Sequence, residues 1–165
     1  MKRYLFTFLL VLCCISLSAQ KLELYADFVQ TKESVIFEDG STQKGYVRFI
    51  SPDSLVWCYT YPVEMKVEFS GKSGNAFSDI KELITSIIKG DFDSKRKDFT
   101  VNSVPAEDGT SKITVTPRSQ RARGIFKSME ILTQKDVRIA NRIIICEQNG
   151  DITTIQFSNQ KLNVE

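Results

Sequence analysis

The sequence predicts a mainly β (α+β) protein: an incomplete antiparallel β-barrel, or half-barrel, wrapped around one amphipathic helix. Three observations lead there. Apolar residues alternate with polar ones over long stretches, turn-forming residues separate those stretches, and a single segment repeats at spacings of three and four. Composition sets the scale, because 165 residues with 42% hydrophobic and 25% charged side chains describe one ordinary globular domain.

The first nineteen residues read as an export signal. Lys2 and Arg3 form a basic start, Tyr4 to Leu17 an apolar stretch, and Ser18-Ala19 a small-residue exit, with cleavage expected after Ala19. The apolar stretch is short for a membrane-spanning helix, which needs about 20 such residues. Residues 20–165 are then expected to fold as a single exported domain.

The first strand follows directly, since Leu22, Leu24, Ala26 and Phe28 alternate with polar neighbours. Glu38-Asp39-Gly40-Ser41 and Ser51-Pro52-Asp53-Ser54 supply turns on either side of a second extended segment. Leu55, Trp57, Tyr59 and Tyr61 mark a further strand, and Met65, Val67 and Phe69 another, before the turn at Ser70-Gly71-Lys72-Ser73-Gly74. That turn lacks the glycine spacing of a phosphate-binding loop. Phe77, Ile80, Ile84, Ile87 and Ile88 then line one side of a helix of about 12 to 14 residues, with Gly90 placed to cap its end. Pro105-Ala106-Glu107-Asp108-Gly109 is another turn. Finally, Asn149-Gly150 suits a type I′ hairpin between Ile143-Ile144-Ile145 and the strand from Ile152 to Phe157.

Charge and residue types exclude several functions. Lysine and arginine total 22 against 20 acidic residues, and two of the basic ones lie in the leader, so the mature chain is neutral. That balance argues against nucleic acid, which is bound by surplus positive charge. Histidine is absent, which removes Ser-His and Cys-His catalysis and histidine-ligated zinc. No enzyme activity, cofactor or metal is expected. Asp91 with Asp93, or Glu107 with Asp108, make poor acid-base pairs without a buried setting. Leader removal leaves Cys58 and Cys146, for which a disulfide and two separate thiols both stand open. Lys95-Arg96-Lys97 and Arg118, Arg121 and Arg123 are basic groups of the kind that solvate turns or assist docking.

Aromatic and large apolar residues crowd the first half of the chain. A curved sheet with little helix to cover its apolar face leaves a greasy hollow, which suits an apolar ligand. Phe28, Phe37, Phe49, Leu55, Trp57, Tyr59 and Phe69 are the candidate lining. Phe77, Ile80, Ile84 and Ile87 would form a movable lid over it.

Three segments carry a family resemblance. Ala26-Asp27-Phe28-Val29-Gln30 resembles an F-x-Q segment, and Pro52-Asp53-Ser54-Leu55-Val56-Trp57-Cys58-Tyr59-Thr60-Tyr61-Pro62 a P-x-x-L-x-W-x-Y-x-x-P segment, of the LolA family of periplasmic lipoprotein carriers. Gly150-Asp151-Ile152-Thr153-Thr154-Ile155-Gln156-Phe157-Ser158-Asn159-Gln160-Lys161-Leu162-Asn163 is similar to that family's closing strand, and the order and spacing agree. The resemblance implies a half-barrel that hides the acyl chains of a lipoprotein or other lipidated cargo, with Phe28, Leu55, Trp57 and Tyr59 at cavity or core positions. It further implies an inner-membrane machinery that releases the cargo and an outer-membrane acceptor. A monomer is expected. The chain departs from the family in having strand where a first helix is usual, Ser51 where an arginine is usual, and a short end at Glu165, so a smaller or more open cavity is anticipated. Arg48, near Ser51, would point to the opposite face and is not assigned the arginine's role. A sensing module that binds lipid or lipoprotein without passing it on is the alternative. A hydrolase would need a buried nucleophile and base that the sequence does not provide.

Overall fold

In the computed structural model, residues 22–36, 40–50, 54–69, 98–105, 109–124, 126–134 and 137–164 are described. Period-two spacing becomes strand throughout them: β1 (Leu22–Glu33), β2 (Ser41–Ile50), β3 (Ser54–Tyr61), β4 (Met65–Phe69), β5 (Phe99–Pro105), β6 (Ser111–Pro117), β7 (Ser128–Gln134), β8 (Val137–Cys146) and β9 (Ile152–Val164). One helical turn, α1 (Gln120–Arg123), sits between β6 and β7. Strands β5, β6 and β7 are additional to those expected, although Phe99 and Val101, Ile113 and Val115, and Met129 and Ile131 carry the same alternation.

The nine strands form one antiparallel sheet in the order β4-β3-β2-β1-β9-β8-β7-β6-β5. Two meanders, β1 to β4 and β5 to β9, are thus joined where β1 pairs with β9, from Leu22 opposite Val164 to Glu33 opposite Ile152. The sheet is open, with β4 and β5 as its edges, so the expected barrel is corrected to an open sheet among the described residues. The edges carry features that discourage further pairing: a Lys66–Glu68 ion pair of 3.1 Å on β4 and Pro105, which has no N–H to offer, on β5. The expected helix carrying Phe77, Ile80, Ile84 and Ile87 lies outside the described residues, as do the leader, Phe37, Ser51 and Lys95-Arg96-Lys97.

Register aligns the apolar residues in rows on one face. Leu24, Phe49 and Leu55 make one row, Ala26, Val47 and Trp57 a second, and Phe28, Gly45 and Tyr59 a third. In the other meander Ile155, Ile143, Ile131 and Ile113 face one another across four strands. These residues form the buried cluster, apart from Gly45 and the half-buried Tyr59. Shifts in register between Tyr25 and Asp27, at Lys44/Gly45 and on either side of Thr133 bend this face, because each extra residue kinks its strand and increases the twist. Phe126, in the connection after α1, stacks on Phe99 at 5.8 Å with the rings 1° from parallel, sealing the β5 end of the face.

The β8–β9 hairpin forms where expected, but its turn is different. Gly150 alone has positive φ there, at 92°, and its N–H donates to the Glu147 carbonyl at 3.1 Å. The Glu147 N–H in turn donates to the Asp151 carbonyl at 2.9 Å, giving a three-residue loop with a glycine bulge instead of type I′. Asn149 is not left-handed because its side-chain oxygen accepts the Asp151 N–H at 3.0 Å.

Both cysteines are free thiols. Cys58 on β3 and Cys146 on β8 are separated by β2, β1 and β9, about 19 Å at ordinary strand spacing, so the disulfide alternative is set aside on sheet order.

Candidate functional site

The strongest concentration of aromatic surface sits where the first meander meets β9. Alternation turns Phe28 and Phe157 to the same face, opposite each other on β1 and β9. Trp57 reaches across from β3, its ring centroid 4.7 Å from that of Phe28 and 6.2 Å from that of Phe157. Tyr59 meets Phe28 edge-on at 5.4 Å. Tilted and edge-to-face rings are the favoured aromatic arrangements, so this cluster packs favourably within the buried face.

Several of the residues expected as lining are brought together within the buried cluster. Phe28, Trp57 and Tyr59 come together directly, while Phe49 and Leu55 are fully buried one row further along. Phe69 stands opposite Leu55 in the β3–β4 register. Tyr61 leaves the cluster and is exposed, with the Lys44 ammonium 5.8 Å from its ring centroid. Phe157 and Phe126 belong to the buried face although the sequence reading does not single them out; Phe157 was accessible from its alternation with Ile155.

A thin polar strip borders the aromatic cluster. The Tyr59 hydroxyl donates to Gln30 Oε1 at 3.4 Å, and Gln30 Nε2 donates to Gln43 Oε1 at 2.9 Å. Burial pushes the Tyr59 phenol above its ordinary pKa of 10.0, and the neighbouring Trp57 N–H works in the opposite direction. That indole N–H is buried and makes no well-formed hydrogen bond among the described residues, the Tyr59 hydroxyl being the group it acts on.

On the opposite face the polar residues pair with each other. Tyr25 stacks on Tyr46 at 5.6 Å and donates to Asp27 at 2.9 Å, a bond that raises its pKa. The Tyr46 phenol is raised as well, chiefly by its hydrogen bond with the Cys58 thiol. Arg48 lies on this face, paired with Glu23 at 2.7 Å, as alternation requires.

The β8–β9 turn is clasped to the end of β1. Lys32 meets Glu147 at 2.8 Å and the buried Asp151 at 3.3 Å, and the Val35 N–H donates to Asp151 at 3.1 Å. The Val35 N–H is the main cause of a depressed Asp151 pKa, with Asn149, Lys32 and Ser34 adding to it and burial opposing it. Thr153 donates to Glu147 at 3.2 Å. On the other side, Gln148 donates to the carbonyls of Arg123 at 2.6 Å and Phe126 at 3.0 Å. These groups satisfy one another, so they act as a clasp that holds the two meanders in register.

Comparison with known proteins follows this geometry. No curated protein matches the sequence. Among solved structures, a chain of the Pseudomonas aeruginosa MucA/MucB complex aligns at 14% identity over 86% of this chain and 52% of its own, with a TM-score of 0.46. The chain thus spans about half the length of that relative. An outer membrane lipoprotein-sorting protein domain from Vibrio parahaemolyticus aligns at 8% identity over 86% and 85% of the two chains, with a TM-score of 0.37. A LolA superfamily protein from Nitrosomonas europaea gives 8% identity, 86% and 86%, and 0.32. The pattern of the outer membrane lipoprotein carrier protein family matches residues 20–165, nearly the whole sequence, and the chain belongs to the LolA family.

Proposed function

We propose that this chain is a periplasmic carrier that shields the acyl chains of a lipoprotein, or of another lipidated cargo, against the apolar face of its sheet on the way to the outer membrane. The observation that carries the reading is the apolar face running across both meanders of a LolA-family protein, with an aromatic cluster of Phe28, Trp57, Tyr59 and Phe157 at its centre. The physics supports it, because each methylene taken out of water is worth about 0.8 kcal/mol, enough in aggregate to hold an anchor. Contact of this kind is also non-directional, which favours release to an acceptor. The role calls for binding and transfer and for no catalytic step. The leader ending at Ala19 would be removed on export, and the cargo would pass from an inner-membrane machinery to an outer-membrane acceptor.

Native mass spectrometry with lipid extraction tests the proposal, on the chain exported with its own leader and purified from a bacterial periplasm without detergent. Acylated peptide or phospholipid that co-purifies and passes to acceptor vesicles supports the carrier. Bound lipid that never transfers points instead to a sensing module. A lipid-free protein that ignores an added diacylated peptide overturns both.

A further inference from the structure

Antiparallel pairing gathers the ends of β1, β3, β6 and β8 and the starts of β2, β4, β7 and β9 at one end of the sheet. Of the nine large apolar side chains exposed among the described residues, six stand there: Val35, Ile36, Tyr61, Val63, Met65 and Ile152. The β1–β2 and β8–β9 hairpins reach furthest, since Tyr61 at the end of β3 is level with Lys44 and Val29 and so stops short of Val35. Val35 and Ile36 are 70% and 78% exposed, and Ile152 begins the neighbouring strand, opposite Glu33.

The tip is held in this shape by its own polar groups. The Val35 N–H donates to Asp151 at 3.1 Å and the Ile36 N–H to Ser34 Oγ at 3.3 Å. A methyl of Val35 lies 3.0 Å from the point where a Cβ at Gly150 would stand, so the valine rests against the β8–β9 turn. On the far side of that turn, Gln148 donates to the carbonyls of Arg123 and Phe126, which brings the exposed Arg123 and Lys127 beside it. One Arg123 N–H donates to the Arg118 carbonyl at 3.1 Å and keeps the guanidinium at this end. The acids of the turn, Glu147 and Asp151, are engaged by Lys32. Glu33 is exposed on the β1 side, and further along Arg118 and Asp98 are of opposite sign.

Apolar side chains that project from a tip, rather than line a hollow, suit a soft surface that closes around them. The backbone N–H groups and carboxylates of the tip are bonded to one another, which leaves little there for a protein partner to pair with, and valine and isoleucine are not the usual anchors of protein interfaces. Two cations beside an apolar tip complement lipid phosphates over an acyl layer. We infer that the tip formed by Val35, Ile36 and Ile152 docks on a phospholipid bilayer, Val35 and Ile36 entering the boundary between headgroups and acyl chains while Arg123 and Lys127 lie against phosphates. The contact is separate from the buried face of the sheet, so it serves a carrier and a sensing module alike.

The exported chain, labelled with nitrogen-15, is mixed with nanodiscs of phosphatidylethanolamine and phosphatidylglycerol that carry a nitroxide-labelled lipid, and its affinity for vesicles of the same lipids is measured by co-sedimentation. The amide signals of Val35, Ile36 and Gly150 are expected to lose intensity, while that of Val104, exposed on β5 at the other end of the sheet, is unchanged. Val35→Thr combined with Ile36→Ser, which keeps the branched shape beside Gly150, should bind vesicles about tenfold more weakly. Arg123→Gln combined with Lys127→Gln should weaken binding about fivefold per charge. Val104→Thr should bind as the parent does. Each variant alters exposed positions, and an amide spectrum that matches the parent away from the substitution confirms its fold. Vesicle binding that survives the Val35 and Ile36 substitutions, or signal loss centred elsewhere, overturns the tip as the contact. A parent that ignores the vesicles overturns the bilayer as its occupant. Binding of a diacylated peptide in solution, which reports on the carrier reading alone, is expected to be the same in the parent and the tip variants; if it falls with them, the tip belongs to the cargo site and the bilayer assignment fails.

Discussion

The tip of the Phe28 ring lies 2.9 Å from the point where a Cβ at Gly45 would stand, so the aromatic side chain of β1 occupies the space that its β2 partner leaves empty. A side chain at position 45 would also run into the carbonyl of Cys58. Gly45→Ala is therefore expected to cost about 3 kcal/mol or more through overpacking against backbone that cannot yield. Phe28→Ala removes the ring and is expected to cost roughly 3 to 5 kcal/mol. Urea denaturation of both variants checks this, and a Gly45→Ala protein as stable as the parent would refute the close approach.

The clasp at Asp151 predicts a dependence on acid. Its pKa is depressed in the folded chain below the ordinary 3.8, so its stabilisation is complete above that value and is lost as pH falls through the lower, folded value. Thermal unfolding should show the parent more stable than Asp151→Asn near neutrality, with the gap closing below about pH 4. A gap that stays constant down to pH 2 would mean that the carboxylate charge contributes nothing.

The two thiols should remain unpaired after export. Intact mass under non-reducing conditions is expected to equal that of the reduced chain, and alkylation of the folded protein should modify the half-buried Cys146 well before the buried Cys58. A chain lacking two hydrogens would contradict the sheet order.

Filling the apolar face should move Tyr59. Burial already raises its phenol, so a bound acyl ligand that removes more water from it raises it further. The test is the phenolate absorbance of parent and Tyr59→Phe at alkaline pH, with and without N-butyl dodecanamide. A titration curve that the ligand leaves unchanged in the parent would place the ligand away from β3. Trp57→Ala, in the same cluster, is expected to lose co-purifying lipid while remaining folded.

What could be read from the sequence was whatever depends on neighbouring residues. Leu24, Ala26 and Phe28, or Leu55 and Trp57, declare a strand and its buried face through alternation alone. The pairing of β1 with β9 is a contact between residues more than a hundred positions apart and leaves no local signal, which is why the spacing of Cys58 and Cys146 could not decide between bonded and free thiols. Gln160 is a sharper case. Strict alternation from Ile155 and Phe157 directs it outward, and only the left-handed Asn159 returns it to the apolar side. The hairpin at Gly150 shows the same limit: the dipeptide marks the turn, while the Asn149 side chain decides its type.

The β1–β9 seam also sets a timetable. The strand nearest the start of the described chain is completed by the last one, so the middle of the sheet stays unformed until residues 152–164 have been synthesised. Neither meander can finish its own burial before then, and closure waits on a long chain search. The full sheet therefore cannot close around β1 before β9 is available, and each meander keeps an unpaired strand edge until then.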